Sequence, residues 1–168
     1  MADLLECLLQ IKGLKETPDR IAALLEQAPA AAWARRPAER VWAPIEVLGH
    51  LADLELVYGV RLRLMLMSER PSLPRFDQDA LAARARHIRW APALALERFR
   101  VRRHDSLEVL DGCSAKDLNR TGTHPIRGEM SVADMVALML AHDTDHVAQI
   151  RERLGLAGAG VSPSAPPP

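Results

Sequence analysis

Three histidines carry the clearest chemical signal in this sequence. His142 and His146 stand four residues apart within LMLAHDTDHVAQIRERLG, so a helix places both imidazoles on one face. His50 in VLGHLADLE has apolar neighbours at three- and four-residue steps, so it also faces inward. Neutral imidazole nitrogens are common ligands of divalent metals, and facing helices of a bundle often build such sites.

The same histidines also fit a role without a metal. A single histidine on an apolar helix face is more often a packed core residue that is hydrogen-bonded. Three buried imidazoles in one core are harder to explain in this way, because each brings a polar nitrogen that needs a partner. The spacing alone leaves both interpretations open.

Helical periodicity dominates the elements that must position these residues, and the alternation typical of strands is nearly absent. We expect the first helix to be interrupted at ETPDR, with a bend near Gly13. Residues 114–130 read as a turn-rich loop. The pattern predicts an all-α helical bundle. The predicted helices cover about 3–28, 44–68, a weaker stretch at 76–90, 92–112 and 131–155.

Length and composition limit the class of protein. The 168 residues suit one domain, which we place at residues 1–155, followed by a flexible Gly/Ala/Pro-rich tail at 156–168. Twenty-two basic and 22 acidic residues balance, which argues against nucleic acid as a partner. No apolar run approaches the roughly 18 residues of a membrane span. Two cysteines, Cys7 and Cys113, and no signal pattern favour a reduced, cytoplasmic protein.

Four blocks of the sequence resemble the DinB/YfiT-like family over about residues 14–151. They are TPDRIAALLEQ, VWAPIEVLGHLADLELVYGVRLRLML, RPSLPRFDQDA and RTGTHPIRGEMSVADMVALMLAHDTDHVAQI. The chain is most similar to the YfiT branch, which includes bacillithiol S-transferases and proteins described as metal-dependent hydrolases. The resemblance implies a four-helix bundle of up-down-down-up order with a short extra helix, often as a homodimer. It also implies a divalent metal, commonly zinc or nickel, on His50, His142 and His146.

Three functions fit, in order of preference, and the resemblance implies the first two. The first is transfer of a low-molecular-weight thiol, as in the bacillithiol-type enzymes, with the thiol as co-substrate. The second is metal-dependent hydrolysis of a small ester or amide. The third is a metal-binding or stress-related scaffold without turnover. In the first two cases the partner is a small-molecule substrate, and three imidazoles leave a coordination position open for it.

The sequence does not identify a catalytic residue or a general base. Asp143 and Asp145 stand beside the histidines, and each fits either an acid that orients an imidazole or a solvated helix acid. Glu46 fits a capping acid at the start of its helix. Asp53 fits an exposed ion pair.

The remaining polar residues receive weaker predictions. His124 in GTHPIRG lies in a loop where a pocket role is one alternative, whereas His87 and His104 are predicted at the surface. Arg61 shares a helix face with His50, and a salt bridge to another helix is favoured over pairing with a substrate carboxylate. The arginine-rich stretches RVRRH and RARHIR are interpreted as solvated helix faces.

Overall fold

The computed structural model describes residues 4–156, so the predicted tail from 157 onward lies outside the described residues. No helix in the described range is both long and apolar enough to cross a membrane. The elements are α1 Leu4–Gln27, α2 Ala30–Trp33, α3 Pro44–Met67, α4 Gln78–Ala85, a 3₁₀ turn His87–Arg89, α5 Pro92–Asp111, α6 Ala115–Leu118, β1 Thr121–His124, β2 Gly128–Ser131 and α7 Val132–Arg153.

The four long helices form a bundle in which α3 packs against α5 and α7, and α1 packs against the same two helices. Asp53 bonds to Arg102, and further along both helices Arg63 bonds to the Asp105 carbonyl. Helices α3 and α5 therefore run in the same direction.

The directions of the other two long helices follow from the apolar contacts. Ile11 early in α1 shares a buried cluster with Val136 early in α7, and Ile21 late in α1 shares another with Ile150 late in α7. These two helices are therefore parallel. The start of α3 shares one buried cluster with the end of α7, and the end of α3 shares the other with the start of α7, so this pair is antiparallel. The result is the up-down-down-up order that the resemblance implied.

A polar layer crosses the middle of the bundle between two apolar clusters. The first cluster is the one that contains Ile11, and the second is the one that contains Ile21. On α7 the buried members of the first cluster end at Met139, and those of the second begin at Val147. On α5 the second cluster ends at Phe99, and the buried members of the first resume at Leu110. The intervening segments carry the candidate histidines of α7 and a buried arginine of α5. The fold therefore places these two imidazoles and this buried charge at one level of the bundle.

Helix α1 is continuous, so the predicted interruption at ETPDR is wrong. Pro18 has no N–H, and a helical proline leaves the carbonyl four residues earlier without its usual donor. That carbonyl belongs to Leu14, and it accepts a hydrogen bond from Arg103 Nη1 at 2.9 Å. The Thr17 hydroxyl also donates to the Gly13 carbonyl at 3.3 Å. A side chain from α5 therefore replaces the missing helical bond.

The interpretation of residues 114–130 as a loop is wrong in part, because they contain a β-hairpin that ends at Ser131. Strands β1 and β2 pair antiparallel, and Gly128 at φ +77° adopts a backbone conformation that favours glycine. The Thr123 N–H donates to the Pro71 carbonyl at 2.8 Å, and the Leu73 N–H donates to the Thr123 carbonyl at 2.9 Å. These backbone bonds fix the hairpin against the segment after α3, a long-range contact that local sequence patterns do not report.

Candidate metal centre

The structure brings together the three histidines that the sequence singled out. The Nε2 atom of His142 lies 3.1 Å from Nε2 of His50 and 3.0 Å from Nε2 of His146. The candidate ligand atoms of the three residues all lie within 4.8 Å of one another. His50 projects from α3, and the other two project from successive turns of α7. The site thus joins two antiparallel helices at the polar layer.

Burial keeps these imidazoles neutral. Desolvation first, and then the neighbouring imidazoles, lower the pKa of His50 to about 3 and that of His142 to about 2. Desolvation also lowers the pKa of His146. A neutral imidazole keeps a lone pair on one ring nitrogen, which is the form that binds metals.

A glutamine orients one of the three rings. Nδ1 of His146 lies 2.9 Å from Oε1 of Gln149, so the Nδ1–H donates to the amide oxygen and Nε2 keeps its lone pair. Orienting an imidazole was one of the two roles open to Asp145. Its side chain is exposed and, within residues 4–156, makes no hydrogen bond to the ring. Asp143 is 1% exposed and binds Arg103 instead, so it is not a solvated acid.

Hydrogen bonds alone do not satisfy the three converging nitrogens. Nε2 of His142 has either one proton or one lone pair, yet it faces the Nε2 atoms of both His50 and His146. Because Gln149 fixes the lone pair on Nε2 of His146, a proton on Nε2 of His142 would donate to that lone pair. Nε2 of His142 then has neither a lone pair nor a second proton to offer Nε2 of His50. A shared cation fits this donor set.

Two aromatic rings border the imidazoles. The Trp42 ring centroid lies 5.2 Å from that of His50, and the Tyr58 centroid lies 6.0 Å from that of His142. Desolvation is the largest cause that raises the pKa of Tyr58, so its phenol stays protonated at neutral pH. Tyr58 therefore places a neutral ring beside His142.

A buried arginine lies beside the cluster, so the interpretation of RVRRH as a wholly solvated face is wrong at Arg103. Its Nη1 lies 2.7 Å from Oδ2 of Asp143, and its Nη2 lies 2.8 Å from Oε2 of Glu55. With the Leu14 carbonyl, this side chain connects all four long helices. A signal was present in the sequence, because Arg103 stands four residues after Phe99 and seven before Leu110, on the apolar stripe of α5.

A second buried histidine lies against the helix that carries His50. His87 is 2% exposed, which makes its predicted surface position wrong. Its Nε2 bonds to Oδ2 of Asp53 at 2.8 Å, and Arg102 bonds to Oδ1 of the same carboxylate at 2.9 Å. Asp53 is therefore buried and doubly bonded, contrary to the exposed pair expected for it. The only sequence signal is Gly49, which leaves room for the His87 ring.

Gly49→Ala should expel the His87 ring from its site. A Cβ at position 49 would lie 2.4 Å from Cγ of His87, which no packed structure tolerates. We expect a loss of about 1–3 kcal/mol in the free energy of unfolding, measured by urea denaturation. Gly112→Ala is the matched control, since a Cβ there meets nothing within 4 Å. Equal stability of the two variants would show that His87 moves aside at no cost.

The other predicted residues are placed as follows. Glu46 is confirmed as a capping acid, because Oε2 accepts from the Ala43 N–H at 2.8 Å. His104 is exposed, as predicted. Burial raises the pKa of the Cys7 and Cys113 thiols, which fits incidental rather than reactive cysteines.

Known proteins share this sequence pattern. The model of the DinB superfamily matches residues 14–150. A protein of Oceanobacillus iheyensis named "Putative metal-dependent hydrolase" is 30% identical over 124 residues, covering 67% of this chain and 65% of that relative. The chain thus matches slightly less than two thirds of that relative's length. A protein of the same description from Halalkalibacterium halodurans is 23% identical over 152 residues, covering 86% of this chain and 84% of the relative.

A solved structure shares the architecture. YfiT from Bacillus subtilis, described as "a probable metal-dependent hydrolase with an unusual four-helix bundle topology", superposes with a TM-score of 0.81 at 18% identity. The match covers 94% of this chain and 92% of that chain. The predicted four-helix bundle is therefore confirmed.

Proposed function

The chain belongs to the DinB superfamily, and from this premise we propose that it is a metal-dependent enzyme acting on a small molecule. The observation that carries the proposal is the convergence of three imidazole Nε2 atoms at the polar layer of the bundle. His50, His142 and His146 would hold a divalent ion, with zinc or nickel the proposed identity. Three protein ligands are typical of catalytic sites, because they leave a position open.

The chain's own residues prepare this site in three ways. Burial and mutual repulsion keep the imidazoles neutral. Gln149 fixes the tautomer of His146, and the rings of Trp42 and Tyr58 limit the access of water. A divalent ion bound there would supply Lewis-acid chemistry, lowering the pKa of a thiol or of water.

We favour a low-molecular-weight thiol as the nucleophile. Within residues 4–156, the buried carboxylates near the cluster are already bonded: Asp143 and Glu55 to Arg103, and Asp53 to His87 and Arg102. Among the described residues, no buried carboxylate is left free beside the imidazoles to act as a general base, and Asp145, the acid next to His146, is exposed. A thiol, with an ordinary pKa near 8.5, needs less help from a base than water does.

The proposed reaction is S-transfer to a small electrophile. The thiol sulfur forms a new bond to an electrophilic carbon, the thiol proton passes to solvent, and the leaving group departs with its electron pair. A thiol of the bacillithiol type would then be the co-substrate. This choice accords with the neutral imidazoles and with the ion pairs that engage the nearby buried carboxylates.

Hydrolysis is the second candidate, favoured by the names of the relatives. Water would then attack the carbonyl carbon of a small ester or amide. The acyl bond to oxygen or nitrogen would break, and the products would be an acid and an alcohol or amine. This route would need a base from the substrate or from solvent, since the buried acids are committed to other partners.

One assay separates the candidates. We expect zinc- or nickel-loaded protein to conjugate one thiol of a panel of bacillithiol, mycothiol, glutathione and cysteine to 1-chloro-2,4-dinitrobenzene. A chelator should abolish the reaction and added metal should restore it. His146→Ala should lose most activity, whereas His104→Ala, at an exposed histidine, should retain it. Hydrolysis of p-nitrophenyl acetate without thiol transfer would support the second candidate. If the metal binds but neither reaction occurs, the remaining candidate is a metal-binding scaffold.

A further inference from the structure

Arg61 is a buried positive charge that has no negative partner in the part of the chain that the structure describes. Its side chain lies on α3 and the residue is 5% exposed. Nη2 donates to the Pro74 carbonyl at 2.9 Å, and Nε is buried without a partner. Across residues 4–156, Arg61 makes no ion pair, so the favoured prediction of a salt bridge to another helix is wrong. The guanidinium is left with unused donors.

A buried charge of this kind is costly unless something compensates it. Removing a guanidinium from water is unfavourable, and one neutral carbonyl recovers only part of the lost hydration. The contrast lies in the same bundle, where Arg103 is buried against two carboxylates. Arg61 would therefore gain strongly from an incoming anion. Arginine is also the side chain best suited to hold a carboxylate, because its donors form a planar fork.

His124 adds a second donor beside Arg61. Its Nδ1 accepts from the backbone N–H groups of Ile126 and Arg127, both at 3.2 Å, so the neutral ring carries its proton on Nε2. That Nε2–H has no acceptor among the described residues. Desolvation first, and then the charges of Arg61 and Arg127, lower the pKa of His124. The charges of both arginines therefore reach the His124 ring.

Backbone bonds fix this neighbourhood. Arg61 holds the Pro74 carbonyl, and the preceding residue, Leu73, bonds through its N–H to the Thr123 carbonyl at 2.9 Å. Thr123 is followed directly by His124, at the end of β1. The hairpin, the segment after α3 and the Arg61 side chain are thus joined in one connected unit. The donors do not depend on a free loop for their positions.

The same helix face leads from Arg61 to the histidines. Tyr58 precedes Arg61 by three residues, so their side chains are neighbours on α3. The Tyr58 ring also contacts His142, with 6.0 Å between ring centroids. Eleven residues separate His50 from Arg61, about 16 Å along the helix axis, and long helical side chains lean toward the N-terminus, which shortens the gap.

We propose that Arg61, His124 and Arg127 bind a carboxylate of the substrate or co-substrate whose reactive group is placed at the three histidines. This inference rests on the proposed function, which it extends to a substrate class: a small, elongated molecule with a carboxylate at the end remote from the reacting atom. Arg61 is the buried permanent charge of this site, because Arg127 is exposed. One buried charge beside the neutral His124 N–H matches the single charge of a carboxylate better than the double charge of a phosphate. Tyr58 lies between the two ends.

The test is a binding measurement that does not need turnover. Succinate is titrated into the full chain, both metal-free and zinc-loaded, and followed by NMR at constant ionic strength. We expect saturable binding in both forms, with shifts in the signals of Gly122 to Gly128. Arg61→Gln should weaken succinate binding about tenfold or more, the usual scale for one charge-assisted hydrogen-bonded contact. Arg63→Gln is the matched control, because among the described residues that side chain bonds only to backbone carbonyls of α3 and α5.

The outcomes separate this inference from the proposed function. If Arg61→Gln does not fold, the pair His124→Gln and Arg127→Gln provides the same test from the hairpin side. Absence of succinate binding to the native chain would overturn the inference even if the enzyme proved active. Equal or tighter binding of inorganic phosphate would also overturn it, in favour of a general anion site. Succinate binding lost in Arg61→Gln would support it even if no turnover were found.

Discussion

His142→Ala should lower the affinity for zinc by more than about 100-fold, because even an outer-shell partner of a metal ligand is typically worth 10–100-fold. His142 contributes the nitrogen that faces both other imidazoles, so its loss leaves two ligands that no longer share a central neighbour. The measurement is a competitive titration against a chromophoric chelator, with elemental analysis of the purified protein. The same direction is expected for His50→Ala and His146→Ala.

His104→Ala controls for the loss of a histidine as such, because His104 is exposed on α5. It should keep the metal content of the native chain. Full metal stoichiometry in all three ligand variants would mean that the histidines are packed core groups. We further expect the helical circular dichroism signal to survive His142→Ala, because two apolar clusters flank the polar layer. Its loss would assign the ion a structural role.

The part of this site that the sequence predicted is the part built on regular helices. His142 and His146 fall on the buried stripe of α7, and His50 falls on that of α3, so a period of 3.6 residues is enough to aim them inward. Their meeting across the bundle was a weaker expectation from spacing, and the family resemblance strengthened it. Helix bounds followed from the same periodicity and from the caps.

The parts that the sequence did not predict depend on contacts between distant segments. His87 lies in a 3₁₀ turn of three residues, too short for any period to show which way it faces, and it is buried only because Gly49 and Asp53 of α3 receive it. The hairpin likewise follows from pairing with the segment at Pro71 to Leu73. Pro18 indicated a break in α1. The helix continues because Arg103 of α5 donates to the Leu14 carbonyl, which Pro18 leaves without its usual donor.

Arg103→Met should destabilise the fold by about 3–5 kcal/mol, the usual loss when one partner of a buried ion pair is removed. Two carboxylates, Asp143 and Glu55, would remain buried without their counter-charge. The Leu14 carbonyl would also lose its donor, since Pro18 offers none in its place. Methionine retains the apolar stem of the side chain, so the measured loss reports the guanidinium. Urea denaturation followed by circular dichroism gives the free energy of unfolding.

Arg100→Met is the matched control on the same helix. Arg100 pairs with Asp19 at 3.2 Å, and both side chains are well exposed, so its removal should cost no more than about 1 kcal/mol. Similar stabilities of the two variants would show that the buried network adds nothing beyond a surface pair.

Neutralising the stranded acids separates lost charge pairing from lost packing. Adding Glu55→Gln and Asp143→Asn to Arg103→Met should recover a large part of the stability, because buried amides lack the uncompensated charge of buried carboxylates.

Metal affinity provides a second measurement on the same proteins. Asp143 follows His142 directly, and its bond to Arg103 holds the turn of α7 that presents both α7 histidines. The triple variant should therefore bind zinc more weakly than Arg100→Met even where it is folded. Recovery of stability without recovery of metal affinity would identify Arg103 as a positioning residue for the metal centre, whereas recovery of both would limit its role to charge compensation in the core.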